Sequence, residues 1–187
     1  MKGRLGVVSD THGDALAWQR VAAFFGQVEM VIHAGDVLYH GPRNPLAAGY
    51  QPPELVNLLN ALPYPLLIAK GNCDAPIDAA VLNVPLQSPV LFLQYEGLRL
   101  LAHHGHQYSP EELLDLARRW GAKVCITGHT HVPRVWRQEG VVLINPGSPS
   151  LPKGSPPRPT AGLIADGKVQ VVDVVTLEVL GEEPLEL

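Results

Sequence analysis

Five short apolar runs, each ending in a polar cluster rich in Asp, His, Asn and Gly, limit what this chain can fold into. With their polar ends, the runs are Leu5–His12, Met30–Asp36, Leu66–Asn72, Leu98–Gly105 and Val124–His131. Each begins like a buried strand and stops at residues that a hydrophobic core cannot hold unpaired. The carboxyl ends of strands in an open α/β sheet share one edge, where ligands bind. The sequence therefore predicts one site built from distant parts of the chain.

Strand and helix patterns alternate along the first half of the chain. The predicted strands there are Leu5–Ser9, Met30–His33 and Leu66–Lys70. The predicted helices cover Asp14–Phe25, Pro53–Leu62 and, further along, Ser109–Trp120. The last helix has the clearest start, because Ser109 can cap it, Pro110 suits its first turn and Glu112 completes a capping box.

Dipeptides that favour tight turns indicate antiparallel hairpins in the second half of the chain. They are Glu96-Gly97, Glu139-Gly140 and Asp166-Gly167. Together with the helices they predict an α/β fold in which two mixed β-sheets pack as a sandwich flanked by helices. The length of 187 residues suits a single domain over 1–187 with a substantial core.

Two stretches rich in Pro and Gly, 37–52 and 148–159, fit neither helix nor strand. Prolines stiffen a loop and remove backbone donors, so both stretches should be ordered surface loops. They follow directly from Asp36 and Asn145, which places their bases beside the predicted site. On sequence grounds they are as well explained as simple connections as they are as the rim of a substrate site.

Charge and cysteine usage exclude several classes of protein. The formal net charge is −4 with no run of Lys or Arg, so attraction to nucleic acid or to an anionic membrane is not indicated. No apolar stretch approaches the roughly 20 residues of a membrane span, and the N-terminus lacks the apolar segment of a cleavable signal. Cys73 and Cys125 make no disulfide framework, which favours a cytoplasmic location.

The polar clusters have the donor types of a paired metal site. Asp10 and His12 are two residues apart just after a strand, so both can point the same way. Asp36 follows a glycine that permits a sharp turn, and one carboxylate can bridge two cations. A pair of cations needs one bridging carboxylate, further oxygen and nitrogen ligands and open positions. The predicted metal ligands are Asp10, His12, Asp36, Asn72, His104, His129 and His131.

Each predicted metal ligand, taken alone, could also be a purely structural residue. An Asp after a strand is usually a turn or helix cap, and a single His in a β environment is usually a hydrogen-bonded structural residue. We therefore expect His33 and His103 to support the site or the core without binding metal, and His40 to be a loop residue. Seven ligand-type residues at five strand ends are hard to explain in this way.

Taken together, the motifs of the chain resemble those of the calcineurin-like metallophosphoesterase family. The motifs that carry the resemblance are DTH at 10–12, GD at 35–36, GNCD at 71–74, HG at 104–105 and GHTH at 128–131. They occur in the family's order. Two longer stretches, GDVLYHGPRNPLAAGY and NPGSPSLPKG, are similar to a branch of small bacterial single-domain phosphodiesterases.

The resemblance implies a four-layer α/β fold and two divalent metal ions. It assigns one ion to Asp10, His12, Asp36 and His131, and the other to Asp36, Asn72, His104 and His129, so that Asp36 bridges. The resemblance favours manganese as the metal. Zn, Fe, Ni and Co are alternatives, because with oxygen and nitrogen ligands of this type the metal that is bound depends on which metals are available. The resemblance also suggests a homo-oligomer.

One departure from the family pattern concerns Cys73, where many members carry a His that assists the leaving group. The similar bacterial branch also has Cys there, and the general acid stays unassigned. The candidate catalytic residues are His106, Cys73 and Asp74. His106 is the nearest replacement acid, and we expect Asp74 to orient its neighbours. Cys73 has acidic neighbours that disfavour a thiolate nucleophile. Asn72 and His106 are also the predicted substrate-binding residues.

The predicted function is hydrolysis of a small phosphodiester by attack of a metal-bound hydroxide. No sequence motif indicates a covalent nucleophile. The alternative is a non-catalytic protein-binding scaffold of the same fold, similar to a retromer subunit. A nuclease of the same superfamily is a third interpretation, which the acidic balance, the short chain and the lack of a further DNA-contacting domain count against.

Overall fold

Twelve strands and four helices follow one another in the computed structural model, which describes residues 3–186. In chain order the strands are β1 (Leu5–Val8), β2 (Met30–His33), β3 (Leu66–Ala69), β4 (Leu86–Gln87), β5 (Leu91–Tyr95), β6 (Leu98–Ala102), β7 (Val124–Ile126), β8 (Arg134–Gln138), β9 (Val141–Asn145), β10 (Thr160–Ala165), β11 (Lys168–Asp173) and β12 (Val179–Pro184). The helices are α1 (Ala15–Phe25), α2 (Pro52–Asn60), α3 (Asp78–Val81) and α4 (Pro110–Arg119).

The strands form two mixed sheets. The first has seven strands in the order β12-β11-β10-β1-β2-β3-β4, and the second has five in the order β5-β6-β7-β9-β8. In the first sheet β1 to β4 run parallel, and β10 to β12 add an antiparallel edge. In the second sheet β6, β7 and β9 run parallel between the antiparallel edge strands β5 and β8.

Three hydrophobic clusters divide the protein into layers. Successive side chains of a strand point to opposite faces, so on β1 Val8 packs towards α1 and α2 while Val7 packs between the sheets. The second sheet behaves likewise: on β7, Ile126 faces the first sheet and Cys125 faces α4. The resulting order is helices, seven-stranded sheet, five-stranded sheet, helix. This confirms the predicted fold of two mixed sheets flanked by helices.

Sequence and structure differ mainly at element ends. The second helix begins at Pro52 and ends at Asn60 rather than spanning Pro53–Leu62, and Asp14 caps α1 from outside by accepting from the Ala17 N–H at 2.8 Å. The capping box of α4 is present as predicted. The short elements α3 and β4 had no sequence signal. None of the helices within residues 3–186 is long and apolar enough to cross a bilayer.

Candidate metal centre

The predicted metal ligands lie at the carboxyl ends of strands from both sheets. The first sheet supplies the residues that follow β1, β2 and β3, which are Asp10, His12, Asp36 and Asn72. The second supplies those that follow β6 and β7, which are His104, His129 and His131. The ligands were expected at the edge of a single sheet. That expectation is wrong, because the edges of two stacked sheets meet at this site.

Backbone hydrogen bonds hold the strand ends together. The N–H of Asp10 donates to the Gly35 carbonyl oxygen, and the N–H of His12 donates to that of Asp36, each at 3.0 Å. The N–H of His129 donates to Asp10 Oδ2 across the two sheets, also at 3.0 Å. Gly35 has a positive φ of 98° and lies so close to the backbone of Gly71 that a Cβ would not fit. The acidic loops approach each other because both glycines lack side chains.

Three histidines each have one ring nitrogen fixed by the backbone. In His12, His104 and His131, Nδ1 lies 2.7–2.8 Å from a carbonyl oxygen. The acceptors are, in that order, Tyr39, Ala34 and Leu151. A carbonyl can only accept, so each Nδ1 carries the proton and donates it. In the neutral rings the lone pair is therefore on Nε2, which is the arrangement that metal-binding imidazoles use.

The free Nε2 atoms converge on two carboxylates. Nε2 of His131 lies 3.2 Å from Asp10 Oδ1 and 3.2 Å from Nε2 of His12. On the other side, Nε2 of His104 lies 3.3 Å from Asp36 Oδ2. Two imidazole lone pairs facing each other repel unless a proton or a cation lies between them. Ligand atoms about 2.1 Å from one cation are roughly 3–3.5 Å apart, so this spacing fits metal binding.

Burial points to the same conclusion. Asp10 is fully buried and Asp36 is 2% exposed, and within residues 3–186 neither has a Lys or Arg within ion-pair distance. Asp10 Oδ1 and His104 Nε2 are buried without a hydrogen-bond partner. Buried charges of this kind are costly unless paired or coordinated to a metal. The donor set of carboxylate oxygens and imidazole nitrogens therefore fits divalent cations.

The carboxylates and imidazoles of this site shift one another's pKa values. Burial disfavours the charged imidazolium, but the carboxylates of Asp36 and Asp10 outweigh it and raise the pKa of His104 to about 9. Burial likewise opposes the ionised form of Asp10, yet the neighbouring imidazoles of His12 and His131 hold its pKa well below the usual range. The carboxylates thus stay ionised and attract positive charge, whether protons or metal ions.

Asn72 and His129 lie at the exposed side of this cluster. Both line an open cleft of about 920 Å³ beside the buried carboxylates. The His129 ring contacts that of His104 edge-on, with centroids 5.2 Å apart. The Asn72 amide donates to Cys73 Sγ at 3.2 Å. Of the seven predicted ligands, five converge in the buried cluster and these two border it on the solvent side.

Asp74 and Cys73 have different surroundings. The Asp74 carboxylate accepts the N–H groups of Asp36, Val37 and Gly71 at 2.7–2.9 Å, and so fixes the loop that carries Asp36. Cys73 is half-buried, and its sulfur lies in a group with His12 and Asp36 whose ligand atoms are within 4.8 Å of one another. Burial and then the Asp36 charge raise the pKa of Cys73 to about 12, which disfavours a thiolate nucleophile.

His106 lies beside the cluster without joining it. Its ring stacks on His103 with an interplanar angle of 9° and lies 5.4 Å from that of His104. Burial, followed by the charges of His104 and His129, lowers the pKa of His106, so its ring is neutral at neutral pH. Nδ1 of His106 is buried and has no partner within residues 3–186.

His33 supports the site from behind. Its Nδ1 accepts the Gly35 N–H at 3.1 Å, so Nε2 carries the proton and donates to Thr11 Oγ1 at 2.9 Å. The Thr11 hydroxyl donates in turn to the Val37 carbonyl oxygen. Burial lowers the pKa of His33 to about 3. His33 is therefore a neutral link between the loops that follow β1 and β2. His103 makes the matching contact in the second sheet by accepting the Gly105 N–H at 2.8 Å.

Sequence reasoning missed two groups of residues at this site. The carbonyl groups that orient the histidines carry no signal, because any residue type supplies a carbonyl. The cations Arg43 and Lys153 also line the cleft, one from each Pro-rich loop. The composition of the loops was compatible with the rim of a substrate site. Isolated cations on surface loops are too common for Arg43 and Lys153 to be predicted as binding residues from sequence.

Comparison with known proteins defines the class. The model of the calcineurin-like phosphoesterase superfamily domain matches residues 4–166, which is most of the chain. The chain therefore belongs to this superfamily of metallophosphoesterases, and the resemblance seen in its motifs is confirmed.

Similar proteins match over most of the chain. The chain is 37% identical over 156 residues to "Phosphodiesterase YfcE" of Escherichia coli K12, covering 82% of this chain and 83% of that protein. The solved structure of the E. coli phosphoesterase Yfce matches with a TM-score of 0.87 at 31% identity, covering 98% of this chain and 100% of that one. Vacuolar Protein Sorting 29 from Cryptosporidium parvum matches with a TM-score of 0.69 at 20% identity over 97% of this chain and 98% of that one, which shows a shared fold.

Proposed function

We propose that this protein is a phosphodiesterase that uses two divalent metal ions to hydrolyse a small phosphodiester. The observation that carries the proposal is the convergence of three oriented imidazoles on two buried carboxylates, in a chain similar to a protein named as a phosphodiesterase. Asp36 supports a paired centre, because its Oδ2 faces His12 at 3.8 Å and His104 at 3.3 Å.

In this proposal the ligands divide into two sets that share Asp36. Asp10, His12 and His131 would hold one ion with Asp36, and Asn72, His104 and His129 would hold the other with it. Held by these residues, two divalent ions would lower the pKa of a water molecule and polarise the phosphoryl oxygens. Phosphoryl transfer then asks the chain for positioning and charge stabilisation more than for covalent chemistry.

The remaining residues of the site orient and bind. Asp74 holds the Asp36 loop through three N–H groups. The Asn72 amide lines the open cleft, and the neutral His106 ring lies beside His129 with centroids 6.4 Å apart. Each could donate one hydrogen bond to a phosphoryl oxygen. Because His106 is neutral and the pKa of Cys73 is far above 7, neither is a strong proton donor at neutral pH.

The test starts from protein stripped of metal with a chelator and reloaded with one metal at a time. Hydrolysis of bis(p-nitrophenyl) phosphate should be absent after stripping and return with Mn²⁺, with two ions bound per chain by elemental analysis. A protein that holds two ions and hydrolyses no diester or monoester would contradict the proposal and favour the protein-binding scaffold.

The same preparation tests the finer points of the proposal. Comparing Mn²⁺ with Zn²⁺, Fe²⁺, Ni²⁺ and Co²⁺ identifies the most active metal, which we expect to be Mn²⁺. Light scattering that gives only the 20.2 kDa monomer would remove the expected homo-oligomer. Cys73 and Cys125 are both free thiols, which supports the proposed cytoplasmic location.

A further inference from the structure

Two cationic side chains line the open cleft beside the metal centre. Arg43 and Lys153 both border the cleft of about 920 Å³ that is also lined by Asn72, His129 and the buried Asp36. Within residues 3–186, the side chains of Arg43 and Lys153 make neither an ion pair nor a hydrogen bond. A cleft of this volume accepts a group of nucleotide size, well beyond one phosphate.

The carboxylates of the cleft do not explain these cations. Asp36 Oδ1 accepts the Cys73 N–H at 2.8 Å, and Oδ2 faces the imidazoles. Both oxygens of Asp74 are occupied by backbone N–H groups. The cations are thus not placed to neutralise an acid of the protein, and their charge is available to a ligand.

Both loops are tied to the metal centre close to their cation. The loop 148–159 is fixed by the His131 Nδ1–H, which donates to the Leu151 carbonyl oxygen, and by the Lys153 N–H, which donates to that of His131 at 3.0 Å. The loop 37–52 is fixed where His12 donates to the Tyr39 carbonyl oxygen, four residues before Arg43. Each loop therefore carries its cation within four residues of a backbone carbonyl group that a histidine of the site binds.

From this arrangement we propose that Arg43 and Lys153 form a second anion site, which binds a further phosphate or carboxylate group of the substrate. The inference rests on the proposed function and narrows its substrate class to phosphodiesters with an additional negative charge. The metal centre would take the phosphoryl group that reacts. The two loop cations would take the group that does not react, through charge-assisted hydrogen bonds.

The test compares two esters that differ only in the second anion. They are p-nitrophenyl thymidine 5′-phosphate and the same ester carrying a 3′-phosphate. The wild-type protein should prefer the second by about tenfold or more in kcat/KM, since one charge-assisted contact is worth about that factor. In Arg43→Gln and Lys153→Gln the preference should fall towards one, and Arg43→Lys should retain part of it.

The matched control is Arg134→Gln. Arg134 is also an exposed cation, but it lies over the ring of Trp136 at 4.4 Å and lines a different cavity. This variant should keep the wild-type preference. A wild-type ratio near one would overturn the second anion site. So would loop variants that lose activity equally on both esters, because the cations would then act on the reacting phosphoryl group.

A binding measurement separates this inference from the proposed function. Calorimetry with thymidine 5′-phosphate and thymidine 3′,5′-diphosphate, both in excess Mn²⁺, needs no turnover. If neither ester is hydrolysed, the proposed function fails, and the second anion site still stands if the diphosphate binds more tightly and this difference is lost in both Gln variants. Equal binding of the two nucleotides would overturn it.

Discussion

Residues with a left-handed backbone occur both in the hairpin turns and at the metal centre. In three hairpins the first turn residue has a φ of 46–51° and the second is a glycine at 72–81°, which is the type I′ turn that suits the twist of paired strands. The turns are Glu96-Gly97, Glu139-Gly140 and Asp166-Gly167. Apart from the adjacent residues, no atom of residues 3–186 lies within 4 Å of a Cβ added at these glycines.

At the metal centre the same conformation recurs at five of the seven predicted ligands. With φ values of 46–70°, they are Asp10, His12, Asp36, His129 and His131. A left-handed residue with a side chain costs about 1–2 kcal/mol. Here it is fixed by contacts between distant strand ends, such as the Asp10 N–H donating to the Gly35 carbonyl oxygen. The hairpins adopt this backbone because of local turn geometry, and the metal centre maintains it through the whole fold.

The largest difference between the metal centre and the hairpins should come from replacing one Asp by Asn in each. Asp36→Asn removes a charge that faces both sets of imidazoles, so turnover should fall by about 10³-fold or more and metal content should drop. Asp166→Asn makes the same change at an exposed hairpin residue with nearly the same φ, and should alter activity less than about twofold. The measurements are diester hydrolysis in saturating Mn²⁺ and metal content after dialysis.

An Asp36→Asn protein that keeps two ions and near-wild-type turnover would show that Asp36 does not bridge. His33→Asn is an additional control within the site. His33 links Thr11 and Gly35 without facing the cluster, so its loss should reduce stability more than metal content.

The next effect is on stability. Gly35→Ala would bring a Cβ to 2.6 Å from the Gly71 backbone nitrogen at a φ of 98°, so unfolding should become easier by about 3 kcal/mol or more. Gly167→Ala has a φ of 72° but open space around it, and should cost about 1 kcal/mol. Urea unfolding of the metal-free proteins compares the two. If both variants lost the same free energy of unfolding, the loops at the metal centre would accommodate a Cβ as readily as the hairpin does.

This contrast explains which parts of the molecule could be predicted from sequence. The hairpin at Asp166 and the capping box at Ser109 depend on neighbouring residues, and both were predicted. The ligand types at the strand ends were also visible, because Asp and His at the end of an apolar run are unusual. The tautomer of His104 was not, since it depends on the Ala34 carbonyl oxygen 70 positions away. The meeting of two sheet edges was missed for the same reason.

A smaller effect concerns protons. In the metal-free protein the pKa of His104 is about 9, so its ring is protonated at pH 7 and must lose that proton to bind metal. Apparent Mn²⁺ affinity should therefore rise by about tenfold per pH unit for each proton released between pH 6 and 8. Calorimetry in buffers of different ionisation enthalpy counts the protons.

The hairpin again provides the control, because Asp166→Asn should leave the proton count unchanged. Without metal, the contribution of His104 to the free energy of unfolding should fall as the pH rises, whereas Mn²⁺ affinity should increase. A raised pKa in the folded state adds stability that is present below about pH 6.5 and is lost as the pH rises through about 9. If no proton were released at pH 7, the His104 ring would already be neutral before metal binds.

The smallest effect concerns protonation of the leaving group, because neither His106 nor Cys73 is a strong proton donor at neutral pH. His106 has a lowered pKa and the pKa of Cys73 is about 12, so hydrolysis should favour esters with good leaving groups such as nitrophenol. General acid assistance is worth roughly 10²–10⁴-fold, and Cys73→His should recover a small part of it on poor leaving groups. His106→Ala should cost most on the same esters if His106 protonates the leaving oxygen. Plotting rate against leaving-group pKa for the three proteins, with chemistry rate-limiting, distinguishes these outcomes, because parallel slopes would exclude both residues from that protonation.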